Sequence, residues 1–377
     1  MRSLIVAAFT LLALPAAAFE PTGNVVADAF LRTLDGLAFD NAAAGTVERQ
    51  GTATVLDNVS GGSETKALKI DRVTIEGGTV NADNALAASA ITYNGLAIFN
   101  ADGKQTGSVG SVALGDVTLA PERDDAAVTD LLGDYGTLSV RDITATSAKD
   151  ETLTIERVDV ARTGRDKPGL AAVTLVMDGL KFDLSLFGEP TESQIRGLGY
   201  EALTLYIKAA GAWSAETGRM VIEPSAISVA DMGTLTLEGS ANGLTEQAFN
   251  AMESATGDFA RLLEQMGSIT VDGLTISFTD NGLTDRLLNA VGETSGADRA
   301  TLIAQVTAAL EAPVAALGDQ GFTTEVTGAL SRFLTEPGTL TVTSAPAQEV
   351  SALQVISAAM LNPEMIPGLL SLTVSAD

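Results

Sequence analysis

The chain has 377 residues, 46% hydrophobic but only 5% aromatic, and a formal charge of −26 from 22 basic and 48 acidic side chains. That charge repels phosphate backbones, which excludes nucleic acid as a partner and disfavours anionic membrane surfaces. Cysteine and histidine are absent, which removes disulfides, thiolate chemistry, Cys- or His-ligated metals and Ser-His-Asp catalysis.

The N-terminus reads as a secretory signal peptide. Met1-Arg2 supplies the charge, Leu4–Leu14 the apolar stretch and Ala16-Ala17-Ala18 the cleavage site, with cleavage expected after Ala18. The apolar run is short for a bilayer and Pro15 breaks it, so no stable transmembrane anchor is expected after cleavage. No cysteine follows to carry a lipid. Losing Arg2 leaves 21 basic against 48 acidic residues, a net −27. The expected product is a soluble protein in a bacterial periplasm.

Asn24–Gly36 has the spacing of a short helix with Val25, Val26, Ala29, Phe30 and Leu34 on one side. Strands are expected at Thr46–Leu56 and Ala67–Val80 around a Gly61-Gly62 turn. Others follow at Ala90–Phe99, Ser108–Leu119, Thr137–Thr146, Glu151–Arg162 and Leu170–Leu186, with a helical turn at Asp124–Leu132. Asn81–Asn84 and Asn100–Gly103 read as turns.

Leu198–Leu244 is the most legible stretch. Leu203, Leu205 and Ile207 alternate with Thr204, Tyr206 and Lys208, the pattern of a strand with one dry face. A turn at Ser214–Gly218 leads back through Arg219–Glu223, and Pro224, lacking an N–H, interrupts the ladder. Gly233–Gly239 is the next strand. Its Leu235-Thr236-Leu237 triplet recurs as Val73-Thr74-Ile75, Val117-Thr118-Leu119, Ile269-Thr270-Val271, Leu274-Thr275-Ile276, Leu340-Thr341-Val342 and others. β-Branched, polar Thr suits the wet face of a half-buried strand.

After Leu244 the pattern changes. Thr245–Met266, Leu283–Val291, Ala297–Leu317, Thr323–Thr335 and Ser351–Leu361 have helical spacing. Thr245 is placed as an N-cap and Pro313 as a kink. Strands at Ser268–Thr279, Gly338–Thr343 and Leu369–Ser375 intervene. The expectation is a mainly β fold with α (α+β): long antiparallel meander sheets with one apolar face, covered in part by C-terminal amphipathic helices. Residues 1–18 are the signal, 19–244 the β-rich region and 245–377 an α+β region, either a separate domain or one continuous with the first.

Motifs for chemistry are sparse. Ser63-Glu64-Thr65-Lys66 matches the Ser-Lys nucleophile spacing, but that mechanism needs a helix, and here the motif follows two glycines and precedes a strand. Asp124, Asp125, Asp130 and Asp134 form the densest acidic set, without a Ca²⁺-loop pattern. Asn58-Val59-Ser60 matches a glycosylation acceptor. There is no phosphate loop, no dinucleotide fingerprint and no nucleophile elbow, so neither catalytic residue, cofactor nor metal is assigned. Leu203, Leu205, Ile207 and Trp213 are the candidate surface for an apolar ligand or partner, with Tyr206 nearby.

Strands such as Leu68–Gly77, Val109–Leu119 and Ile269–Phe278 give the chain a texture that resembles the AsmA-like group of envelope proteins of Gram-negative bacteria. That resemblance implies an elongated β-groove that shields lipid tails and a role in envelope lipid homeostasis. This chain is shorter, and has a signal peptide where that group has an inner-membrane anchor. Three readings follow: a lipid- or apolar-ligand-binding protein, a structural or assembly protein of the envelope, and a hydrolase built on carboxylates. The first requires part of the apolar face to be open.

Overall fold

A computed structural model describes residues 21–36, 39, 41–62, 66–120, 132–147, 149–164, 170–248, 266–317 and 320–377. The signal peptide, Asp124–Asp130, Ser63–Thr65 and most of the helix expected at Thr245–Met266 lie outside them. Two compact units part between Tyr135 and Gly136.

The first unit is a sheet with one helix. Helix α1 (Val25–Gly36) is started by Asn24, whose Oδ1 accepts from the amides of Val26 and Ala27 at 3.0 and 3.1 Å. Antiparallel strands β1 (Thr46–Gln50), β2 (Ala53–Gly62), β3 (Lys66–Glu76), β5 (Leu86–Asn100) and β6 (Gln105–Leu119) pair in that order, with β4 (Thr79–Val80) beside β5. Phe30, Leu31 and Leu34 of α1 are buried with Leu56, Ile70, Val73, Ile75 and Ile91 of the sheet. Each such side chain contributes roughly 1.5–3 kcal/mol by leaving water. Phe30 lies 5.9 Å from the ring of Tyr93, whose phenol is pushed up by burial.

The turns differ from expectation in two places. Thr46–Leu56 is two strands, because Gly51 takes φ +64° and reverses the chain. Gly61 and Gly62 are the end of β2, paired with Leu68 and Ala67. A Cβ on Gly61 would stand 2.8 Å from the Phe39 carbonyl oxygen, so glycine is there for close approach.

The strands contain a device that alternation alone conceals. Asn58, Gly95, Asp142 and Gly179 lie mid-strand with φ between 52° and 65°, and the pairing skips each of them. The opposing residue drops out with each, Asp71 opposite Asn58 and Gly95, and Glu156 opposite Asp142 and Gly179, so the register is unchanged while the alternation breaks on both strands together. Leu56 and Val59 are thus both buried although three residues apart, and they pair with Val73 and Ile70, also both buried.

The second unit continues the meander pattern. Strands β7 (Thr137–Thr146), β8 (Thr152–Thr163), β9 (Leu170–Asp183), β10 (Ala202–Ser214), β11 (Arg219–Val229), β12 (Gly233–Asn242), β13 (Thr270–Asp280), β14 (Thr339–Ser344) and β16 (Leu372–Ala376) pair antiparallel in that order, with β15 (Val350–Ser351) beside β13. Pro224 sits inside β11 where its register with β12 shifts, between Ile222 and Ser225. Strand β12 pairs with β13 across Leu244, so the strand-rich and helix-rich stretches share this sheet.

The unit also has helices α2 (Thr191–Gly197), α3 (Leu283–Ser295), α4 (Arg299–Ala315), α5 (Gln320–Thr335) and α6 (Ala352–Leu361) among its described residues. Helix α2, preceded by a 3₁₀ turn at Leu184–Phe187, has no counterpart in the sequence expectations. Asp298 caps α4 through the Thr301 amide at 2.8 Å, and Ser351 with Gln354 forms a capping box on α6. Pro313 falls in the last turn of α4, which ends two residues later. No described helix is long and apolar enough to cross a membrane.

Candidate functional site: an apolar row across the second sheet

Directly opposed residues on neighbouring strands point to the same face of a sheet. In the second unit the register opposes Val140, Val158, Met177, Ile207, Ile227, Leu235, Phe278, Leu340 and Ala376, each to the next. One apolar row therefore crosses nine strands, about 38 Å at the usual interstrand spacing. Leu237, Ile276, Val342 and Val374 form a parallel, shorter row beside it.

The row is covered at one end. Helix α5 lays Phe333 against Phe278, with ring centroids 6.0 Å apart, and Phe333 and Ala329 form a buried cluster with Ala376 and Leu340. On strand β10 a second cluster covers the same face: Leu184, Tyr200 and Leu203, with Leu198 and Ile195 packed on them. Tyr200 anchors it by donating from its hydroxyl to the Asp231 carbonyl oxygen at 2.9 Å, under the Arg286 guanidinium 4.5 Å from the ring. Burial pushes this phenol up, and the nearby guanidinium opposes the shift. Asp183 starts the 3₁₀ turn; bonds from Ser185 hold its carboxyl below the usual range, with Arg196 helping. A cleft of about 560 Å³ opens beside this cluster between α2 and α3, with Ile195, Leu198 and Leu287 among its lining residues.

Beside these covers the face is open. Ile227 is 47% exposed, Leu235 46%, Ile276 39% and Val342 36%. The opposite face carries hydroxyls and charges. Ser228 bonds to Thr234, Ser277 to Thr341 and Thr279 to Thr339, at 2.9 to 3.1 Å. Asp272 accepts from Arg219, Ser240 and Asn242, and Arg141 and Arg157 pair with Asp159. Burial acts to raise the Asp159 pKa, but bonds from Ser139 and Arg157 outweigh it and the carboxyl is held low.

The four candidate residues fall in different places. Leu203 is a core residue under the cover, only 7% exposed, and Leu205 packs against the same cluster. Ile207 belongs to the row. Trp213 lies further along β10, opposite Met220, and its Nε1 donates to the Leu244 carbonyl oxygen at 2.6 Å. Tyr206 points to the hydroxyl face, opposite Ser228. Ile227, Leu235, Ile276 and Val342 were not singled out by sequence. Their signal was the hydrophobic-Thr-hydrophobic triplet, which marks a face without saying which part is covered.

The other candidates organise local structure. Lys66 opens a strand and sets its ammonium 4.7 Å above the Phe39 ring. Asn81 and Asn100 accept from the amides two and four residues on, closing turns. Asp134 pairs through its backbone with Thr118. Among the described residues no three acidic side chains converge as a metal site would require.

A family model described as "Uncharacterized protein" matches residues 226–377. No curated protein matches the chain. The matched span begins one residue before Ile227 and contains all four residues of the open patch together with α5.

Proposed function

We propose that this is an exported envelope protein that binds a hydrophobic ligand or lipid along the apolar face of its second sheet, without catalysis. The observation that carries the reading is the open patch of Ile227, Leu235, Ile276 and Val342 beside the two covers. Surface leucines scattered singly need no explanation, but aligned aliphatic residues on adjacent strands invite an apolar partner. Export rests on the signal peptide read at residues 1–18. The AsmA-like resemblance agrees with this use of a sheet face, although the family match does not name that group.

A second reading, assembly with another envelope protein, draws on a separate feature. Met360, Leu361 and Met365, at and beyond the end of α6, are each more than half exposed. Native mass spectrometry of the mature protein from its own periplasm, with organic extraction, separates the two. A stoichiometric apolar molecule supports the ligand reading. A clean apo mass that takes up no added phospholipid overturns it in favour of assembly.

A further inference from the structure

Strand β16 ends the second sheet, and among the described residues no strand pairs with its outer edge, which is a template for another strand. The register fixes which backbone groups face outward. Thr339 and Asp377 exchange both hydrogen bonds, at 3.0 Å each. In an antiparallel ladder the bonded pairs alternate, so Ser375 and Thr373 also turn inward, while Leu372, Val374 and Ala376 present N–H and C=O to the outside.

Two of those outward groups are taken by side chains of α5. The Val374 amide donates to Glu325 Oε1 at 2.6 Å, and Arg332 Nη1 donates to the Ala376 carbonyl oxygen at 3.3 Å. Glu325 and Arg332 lie seven residues apart, about 10.5 Å along one helix, and their long side chains converge on groups two residues, about 7 Å, apart along the strand. The packing of Phe333 and Ala329 holds the helix in place to do this. Edges left open on long sheets pair with other chains, and a covering helix is one of the ways to prevent it.

We propose that Glu325 and Arg332 are guards of a latent interaction surface, and that its partner, once they are removed, is the same edge of a second copy of this chain. The second copy follows from geometry. Two β16 edges meeting antiparallel about a twofold axis each offer the outward groups of Leu372, Val374 and Ala376 to the other. Both apolar faces then continue across the junction.

The test is the double variant Glu325→Ala/Arg332→Ala, studied as the mature chain by size-exclusion chromatography with light scattering and by amide hydrogen exchange. Wild type is expected at the mass of one chain. The double variant is expected at the mass of two, with at least tenfold tighter self-association and slowed exchange at Leu372 and Ala376. Glu325→Gln keeps an oxygen acceptor, and restored to the Arg332 background it is expected to behave as wild type. A double variant that keeps its circular dichroism and stays monomeric overturns the proposal. So does a dimer whose β16 amides gain no protection, or a Gln variant that dimerises as the Ala variant does.

Discussion

Ile227 on β11 stands directly opposite Leu235 on β12, and each keeps nearly half of its surface in solvent although both belong to an unbroken apolar row. A pair left this open adds little to the fold, because most of the transfer free energy comes only with full burial. If the pair serves a ligand, Ile227→Glu with Leu235→Glu should lower apolar-ligand uptake at least tenfold. Unfolding free energy should change by about 1 kcal/mol or less. Denaturant melts together with a lipid-extraction assay check both halves. Unchanged uptake in a folded variant removes this patch from the site.

Trp213, the chain's single tryptophan, offers an internal reporter. It stands opposite Met220, three strands from β13, and its indole is fixed by the Leu244 carbonyl. Trp213→Phe keeps the ring in the sheet and removes the bond. The expected cost is about 0.5–1.5 kcal/mol, the usual worth of such a hydrogen bond. In the wild type, an apolar ligand spreading along β10–β12 should shift the emission to the blue. A titration that saturates a mass-detected complex while leaving the emission unchanged would place the ligand away from this end of the sheet.

The sheet was legible because period-two alternation survives in most strands, and Leu203, Leu205 and Ile207 do begin a face that others extend. The breaks in that alternation were not legible. Asn58, Asp142 and the Asn94-Gly95 and Asp178-Gly179 pairs have the composition of turns, yet Asn58, Gly95, Asp142 and Gly179 sit mid-strand in the left-handed region. Whether such a residue turns the chain or only interrupts a continuing strand is decided by which strand lies alongside, a long-range fact. Helix α2 was hidden for a related reason: at seven residues with no buried side chain, it leaves little periodicity to detect. Exposure of the row was hidden too. Leu203 and Leu235 sit in similar triplets, but Tyr200 and Leu184 close over only the first.

Acid should act through carboxylates alone, because the chain has no histidine. Asp298 is held below the usual carboxylate range by the Thr301 amide and hydroxyl, and Asp57 by the Arg72 guanidinium. A pKa lowered on folding gives stability that is fully present above the ordinary value near 3.8 and is lost as pH falls through the depressed one. Stability should therefore be flat with respect to these groups from neutral pH to about 5 and fall below about 4. Asp298→Asn keeps a cap without the charge and should shallow the fall. Chemical denaturation across that window measures the slope, and an identical slope in the Asn variant would remove Asp298 from the account.

Charge also bears on which lipid the open patch accepts. On the face that carries Ile227, Leu235, Ile276 and Val342, their cross-strand neighbours Ile207, Leu237, Phe278 and Val374 are all uncharged, while Lys208 and Arg219 alternate to the other side. A head group held beside this patch meets the field of a protein at −26, screened over about 8 Å at physiological ionic strength. Uptake from phosphatidylcholine vesicles should therefore exceed uptake from phosphatidylglycerol vesicles several-fold at low salt. The gap should narrow as salt rises, since screening removes the repulsion and leaves the apolar contact unchanged. Equal uptake from both at low salt would show that the head group stays clear of the protein's field while the apolar reading stands, and no uptake from either would remove the apolar reading itself.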